Sequence, residues 1–234
     1  GDDGDNWIWG VEGSGDSLYG ASGNDLLQVG PGDHSVHGGS GFDTLQVSPT
    51  SSGVTISLAL QGSAQATGHG NLTLNHIENL DGTDHADTLQ GDAESNVLSG
   101  SEGNDSLSGA GGNDRLYGDG FVAIGGAVSG QITLNVSGAT GDDYMSGGDG
   151  SDTIYGGAGN DTGDGGAGND SFHDVEGSNS FSGGAGFDYF YVVLGGDTID
   201  GGADVDRLVT DQTAANLSID LNITGLQDVD GDGR

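Results

Sequence analysis

The sequence predicts an all-β protein, a parallel β-roll or β-helix-like solenoid, and three observations predict it. Glycine is far in excess, with 51 of 234 residues against an ordinary share of about 7%. A nine-residue spacing recurs through most of the chain, with an apolar residue near the end of each unit. Charge is one-sided, at 37 Asp and Glu against 3 Lys and Arg, for a formal net charge of −34. A fixed short period is the mark of a solenoid, in which each unit buries its apolar face only by stacking on the next.

Charge and composition remove several classes. With no Cys and only 2 Pro the chain is neither a disulfide scaffold nor collagen-like. Its charge opposes phosphate backbones and anionic membrane surfaces. The longest apolar stretches, such as 54–60 and 121–128, fall short of the roughly 20 residues of a membrane helix. So acidic a chain with so few bulky apolar residues lies near the disordered region, which predicts that metal cations neutralise the carboxylates. The chain opens at Gly1, without Met and inside a repeat, and reads as a piece of a longer protein.

Laid out in nines, the chain contains three blocks. Residues 1–46 carry five repeats, with Asn6, Asp16, Asp25, His34 and Asp43 at position six and Gly10 as an extra residue. Residues 82–120 carry four, with Asp87, Asn96, Asp105 and Asp114 there. Residues 138–209 carry eight, with Asp143, Asp152, Asp161, Asp170, Asn179, Asp188, Asp197 and Asp206. Position eight is apolar in all but one of the seventeen, the exception being Gly163.

Glycine at positions one, two and four suits a tight turn over the first six residues, and the last three form a strand. Side chains alternate in a strand, so position eight points inward while seven and nine point outward. Two nonapeptides make one coil of about 18 residues, and stacking at about 4.8 Å places position six of repeats n and n+2 in a row. Two carboxylates about 5 Å apart at an effective dielectric near 20 repel by about 3 kcal/mol. A cation between them reverses the sign, and Ca2+ suits a site of carboxylates and turn carbonyls.

The unit is G-G-x-G-x-D-x-U-x, with U a large apolar residue, and on these seventeen in-phase copies the chain resembles the RTX family of hemolysin-type calcium-binding repeats from secreted bacterial proteins. The resemblance implies that each ion takes the carbonyls of positions two and four and the Asp of one repeat. The carbonyls of positions one and three and the Asp two repeats later complete it. On matching positions this implies a site from Gly148, Gly150, Asp152, Gly165, Ala167 and Asp170, and a second from Gly166, Gly168, Asp170, Gly183, Ala185 and Asp188. A third uses Gly184, Gly186, Asp188, Gly201, Ala203 and Asp206. The opposite edge would use Ala139, Gly141, Asp143, Gly156, Ala158 and Asp161, with the sites flanking Asn179 weak or empty. In the first block Ala21, Gly23, Asp25, Gly38, Ser40 and Asp43 match, and Asp16, Asp87, Asp105, Asp114 and Asp197 are further candidates. His34 beside Asp16 puts that edge in doubt.

Between the blocks, residues 47–81 read as a β connector, with alternation at 54–58 and again at 72–74. Residues 121–137 read as an insertion, a hairpin on the side of the roll. Residues 210–234 look like a second connector entering a further, truncated block, and 228–233 match the opening of an EF-hand loop without its twelfth-position acid.

Catalytic signals are missing: there is neither an H-E-x-x-H helix nor a G-x-S-x-G elbow, and the G-x-G-x-x-G at 163–168 lies inside two nonapeptides. His34 and His37 read as surface histidines, because a third ligand is lacking. The chain is therefore expected to be non-enzymatic, with any catalysis elsewhere in a parent protein. Three roles stay open: a folding and export module that closes on Ca2+ after type I secretion, a glycan- or cell-surface-binding module, and an adhesin or surface-layer spacer that self-associates. The second would use the outward aromatics Trp7, Trp9, Tyr19, Tyr117, Tyr155, Tyr189 and Tyr191. The expected partners are calcium ions and the secretion machinery, with no nucleic acid and no membrane insertion, in an extracellular or cell-surface location.

Overall fold

The computed structural model describes residues 1–10, 13, 15–47, 50–124, 132–135, 140–174, 176–192, 196–210 and 218–219. Short strands alternate between two faces of one roll, and the strands of the roll pair in parallel with the strand one coil later, while Ala64–Ala66 pairs antiparallel with Asn71–Asn75 at the edge of its sheet. One face is a ten-stranded sheet running from Trp7–Trp9 through Leu26–Val29, Thr44–Val47, Asn79–Asp81, Val97–Ser101 and Arg115–Asp119 to Arg207–Thr210. The opposite face holds an eight-stranded sheet from Thr55–Ser57 to Ser218–Ile219 and a four-stranded sheet that includes Asp16–Ser22, His34–Ser40 and Asn71–Asn75. Among the described residues there is no α-helix, and none is long and apolar enough to cross a membrane.

Register follows the nonapeptide. Position-eight residues face one another across strands, as in Leu89 with Leu107, Leu98 with Leu116 and Phe172 with Phe190. They line up into one continuous buried column from Leu18 to Leu208. Gly163 interrupts the column in sequence but leaves no hole in it. A methyl built on Gly163 would lie 2.8 Å from the Phe181 ring and 3.1 Å from the Phe172 ring, so these phenyls fill the space.

The connector belongs to the roll. Thr55–Ser57 starts the eight-stranded sheet against Thr88–Gln90, and Asn79–Asp81 bridges Thr44–Val47 to Val97–Ser101 in the ten-stranded sheet. The first and second runs of repeats therefore share one unbroken sheet. Ser218–Ile219 pairs in parallel with Thr198 and Ile199, as Thr55–Ser57 does with its neighbour. The rest of 210–234 beyond Thr210, including the EF-hand-like stretch, lies outside the described residues.

The insertion differs from the expected frame. Phe121–Ile124 and Ile132–Asn135 pair antiparallel, and they interrupt a repeat instead of separating two blocks. Gly118 serves as position one for Asp143, because a methyl on it would fall within 2.7 Å of both Asp143 Oδ2 and the Gly156 carbonyl, as at every other position-one glycine of the second run. Asp119 thus holds position two of that repeat, and Ala139 lies outside the described residues.

Candidate metal centre

Each turn brings a carboxylate oxygen and a main-chain carbonyl close to one glycine. Position two and position four take positive φ, as at Gly148 (φ 107°) and Gly150 (φ 139°). Ala21, Ser101 and Ala110 hold position two at φ 93°, 85° and 80° despite their side chains, a cost of about 1–2 kcal/mol each. Position one has no such φ, and its glycine is there for space. A methyl on Gly147 would lie 2.6 Å from the Gly165 carbonyl oxygen and closer still to Asp152 Oδ2. The same pair of oxygens flanks Gly20, Gly82, Gly100, Gly109, Gly165 and Gly183.

Position six forms two long rows. Along the edge of the ten-stranded sheet stand Asn6, Asp25, Asp43, Glu78, Asn96, Asp114, Asp152, Asp170, Asp188 and Asp206. Along the eight-stranded sheet stand Asp87, Asp105, Asp143, Asp161, Asn179 and Asp197. Each row is tied by backbone N–H groups donating to the next carboxylate: Asp105 to Asp143 Oδ1 at 2.7 Å, Asp152 to Asp170 Oδ1 at 2.8 Å, Asp170 to Asp188 Oδ1 at 2.9 Å. The second oxygen is different. Oδ2 of Asp25, Asp43, Asp105, Asp114, Asp143, Asp152, Asp161, Asp170, Asp188 and Asp206 is buried and accepts no hydrogen bond from any described residue. A buried charged oxygen without a partner costs several kcal/mol, and the one charge these rows lack is positive.

The electrostatics agree. Burial pushes Asp105 up to about 8, against the opposing effect of the Asp87 N–H, and the carboxylates of Asp143, Asp87 and Asp119 add to the rise. Burial likewise raises Asp114, Asp143 and Asp170 to about 7, and Asp43, Asp161 and Asp188 to about 6. Among the described residues no three His, Asp or Glu side chains converge as a side-chain-only metal group. A site here would need main-chain carbonyls beside the carboxylates, a donor set that suits a hard cation of six to eight oxygen ligands and not a transition metal.

Several candidates stand apart. Asp16 faces His34, whose Nδ1 is 3.5 Å from Asp16 Oδ2, and the next member of that row is Leu72. This edge has no pair of carboxylates, and His34 is a buried residue held by the Gly30 carbonyl at 3.1 Å instead of a surface one. Asp87 begins its row after Val54. Its oxygens accept from the Val54 N–H at 2.6 Å, the Thr83 N–H at 2.6 Å and the Thr83 hydroxyl at 3.1 Å. At Asn179 the side-chain oxygen continues the ladder, accepting from Asp161 N–H at 2.7 Å, while its Nδ2 donates to the Glu176 carbonyl at 3.1 Å. An amide donor occupies the place where other members present an oxygen.

The outward aromatics also differ from one another. Trp7 and Trp9 are each 62% exposed, whereas Tyr117 is buried. Tyr117 stacks on Tyr155 at 4.7 Å and Tyr155 on His173 at 4.9 Å, so their faces are taken up by neighbouring strands.

Sequence reasoning missed two acids. Glu78 takes position six in the connector, where Glu78-Asn79-Leu80 carries the acid-to-apolar spacing of a repeat without its glycines. Asp119 is 3% exposed, its Oδ2 accepts from the Ala158 N–H at 2.6 Å, and its Oδ1 has no partner among the described residues. The signal for Asp119 was the run of glycines at 82, 91, 100, 109 and 118, which counts one more repeat than the block seemed to hold.

A roll of parallel coils whose turns align buried carboxylates with main-chain carbonyls is a scaffold for hard divalent cations. A family model for the RTX calcium-binding nonapeptide repeat matches four times, at residues 12–45, 81–116, 137–172 and 174–208. The chain belongs to that family, and its repeats are calcium-binding repeats. No curated protein matches it.

Proposed function

We propose that this chain is the calcium-loaded β-roll of a secreted or cell-surface protein, exported extended by a type I system and folded outside by coupled binding of several Ca2+ ions. The observation that carries the proposal is the repeated trio of an unpartnered Asp Oδ2, a position-one carbonyl and a glycine that a methyl would displace. The ligand sets centred on Asp152 with Asp170, Asp170 with Asp188, Asp188 with Asp206, Asp143 with Asp161 and Asp25 with Asp43 follow from it. Bound Ca2+ supplies the charge that two stacked carboxylates need. The chain does the rest: position two and four glycines turn the carbonyls inward, each Asp Oδ1 accepts from the N–H of the position-six residue one coil earlier, and the position-eight column is buried as coils close. At low Ca2+ the rows repel and the chain stays open. At the roughly 10⁻⁴ to 10⁻³ M typical of extracellular modules it closes. The role is structural, serving folding, export or rigid spacing.

Calorimetric titration at two pH values tests this. At pH 7.5 several Ca2+ ions are expected to bind and Mg2+ to compete poorly. At pH 5.5 the affinity is expected to fall to the extent that the metal-free roll forms, because burial in that roll raises the row carboxylates to about 6 to 8 and protons then take the place of Ca2+. The metal-free roll shifts the opposite way: its raised Asp groups bind protons that the unfolded chain releases above about 3.9, so acid stabilises it as pH falls through those values. No binding of Ca2+ at pH 7.5 contradicts the proposal.

A further inference from the structure

We infer that the connector contains a calcium site of its own, framed by Asp43, Glu78 and the carbonyl of His76, which joins the first run of repeats to the second. The inference rests on the reading of the rows as calcium sites, but the connector residues lie outside the repeat. The family match stops at residue 45 and resumes at 81, and Thr73, Leu74 and His76 stand where a repeat has glycine.

The geometry is nevertheless that of a row member. Asp43 donates its N–H to Glu78 Oε2 at 2.8 Å, as row aspartates do to the next carboxylate. A methyl on Gly38 would strike both Asp43 Oδ2 and the His76 carbonyl oxygen, which takes the place of a position-one carbonyl. Asp43 is fully buried, and its Oδ2 accepts no hydrogen bond from a described residue. His76 holds a left-handed φ of 51°, unfavourable for a non-glycine residue and maintained from both sides. Gln61 accepts from the Ile77 N–H at 3.1 Å and donates to the Ile77 carbonyl at 2.8 Å, fixing the backbone between His76 and Glu78. The longer side chain of Glu lets a backbone without turn glycines still bring a carboxylate to the row. The exposed His76 imidazole is the basic group close to Asp43, and the test separates it from a cation.

A cation here would clamp two otherwise separate runs into one cooperative unit. The two Trp residues, Trp7 and Trp9, both lie on the first strand, so their fluorescence reports the first run, while far-ultraviolet ellipticity reports mainly the longer remainder. In the wild-type chain both signals are expected to follow one Ca2+ curve. Glu78→Gln, which preserves the hydrogen bond, is expected to bind one ion fewer by calorimetry and to move the Trp curve to about fivefold higher Ca2+ or more than the ellipticity curve. An unchanged ion count with coincident curves overturns the inference. If E78Q does not fold at any Ca2+ level, His76→Gly decides: it retains the carbonyl and removes the imidazole. Wild-type ion count and coincident curves then support the site, and loss of coincidence shows that the imidazole satisfied Asp43. A wild-type chain that binds no Ca2+ overturns the reading of the rows themselves.

Discussion

Gly165→Ala is expected to disable folding at Ca2+ levels that saturate the wild type. Gly165 has no positive φ, so the effect is not one of backbone preference. Its new methyl would lie 2.6 Å from the Gly183 carbonyl oxygen and closer to Asp170 Oδ2. Neither can retreat, since Gly183 belongs to the next coil and Asp170 is held in the row by the Asp152 N–H and by its own N–H to Asp188. The cost belongs at or above the upper end of the 1–3 kcal/mol usual for overpacking, about 3 kcal/mol, which raises the Ca2+ midpoint about a hundredfold if borne by one ion. Gly30→Ala is the control: it has no positive φ and nothing within 4 Å of its methyl. It is expected to leave the Ca2+ curve unchanged.

Phe172→Ala is expected to destabilise the calcium-loaded roll by about 3–5 kcal/mol in denaturant unfolding. The ring is fully buried. It stacks on Phe190 at 4.8 Å, meets Phe181 at 5.2 Å and fills part of the space over Gly163. No side chain at 163 can close the cavity left behind. Because coils contact mainly their neighbours, the loss should concentrate in the coils around it. Tyr191→Ala, at the end of the outer aromatic ladder in a residue 40% exposed, should cost about 1 kcal/mol or less. Equal effects of the two substitutions would contradict a single inward column as the core.

Much of this was legible because the repeat writes its geometry into spacing. Asp152, Asp170 and Asp188 could be placed in one row from their 18-residue separation alone, and Leu98 against Leu116 likewise. What escaped was whatever kept the geometry while losing the motif. Glu78 reaches the row with an extra methylene and a left-handed His76 in place of glycines, so a pattern built on glycine passes over it. Asp119 was hidden because the hairpin splits its repeat, moving position one to Gly118, far from Asp143 in sequence. Position-one glycine was read as a matter of φ, whereas the structure shows close approach, which depends on a residue 18 or more positions away. The Gly163 gap is closed by Phe172 and Phe181, a compensation between coils that no single repeat displays.

Titration of the metal-free chain with Ca2+, followed by far-ultraviolet circular dichroism with Mg2+ as control, tests the central claim most directly. The rows of buried, unpartnered carboxylate oxygens require a cooperative transition from coil to β structure at submillimolar to millimolar Ca2+, reversed by chelator and not produced by Mg2+ at the same concentration. A chain already β-rich in chelator at neutral pH, with a spectrum indifferent to Ca2+, would contradict it.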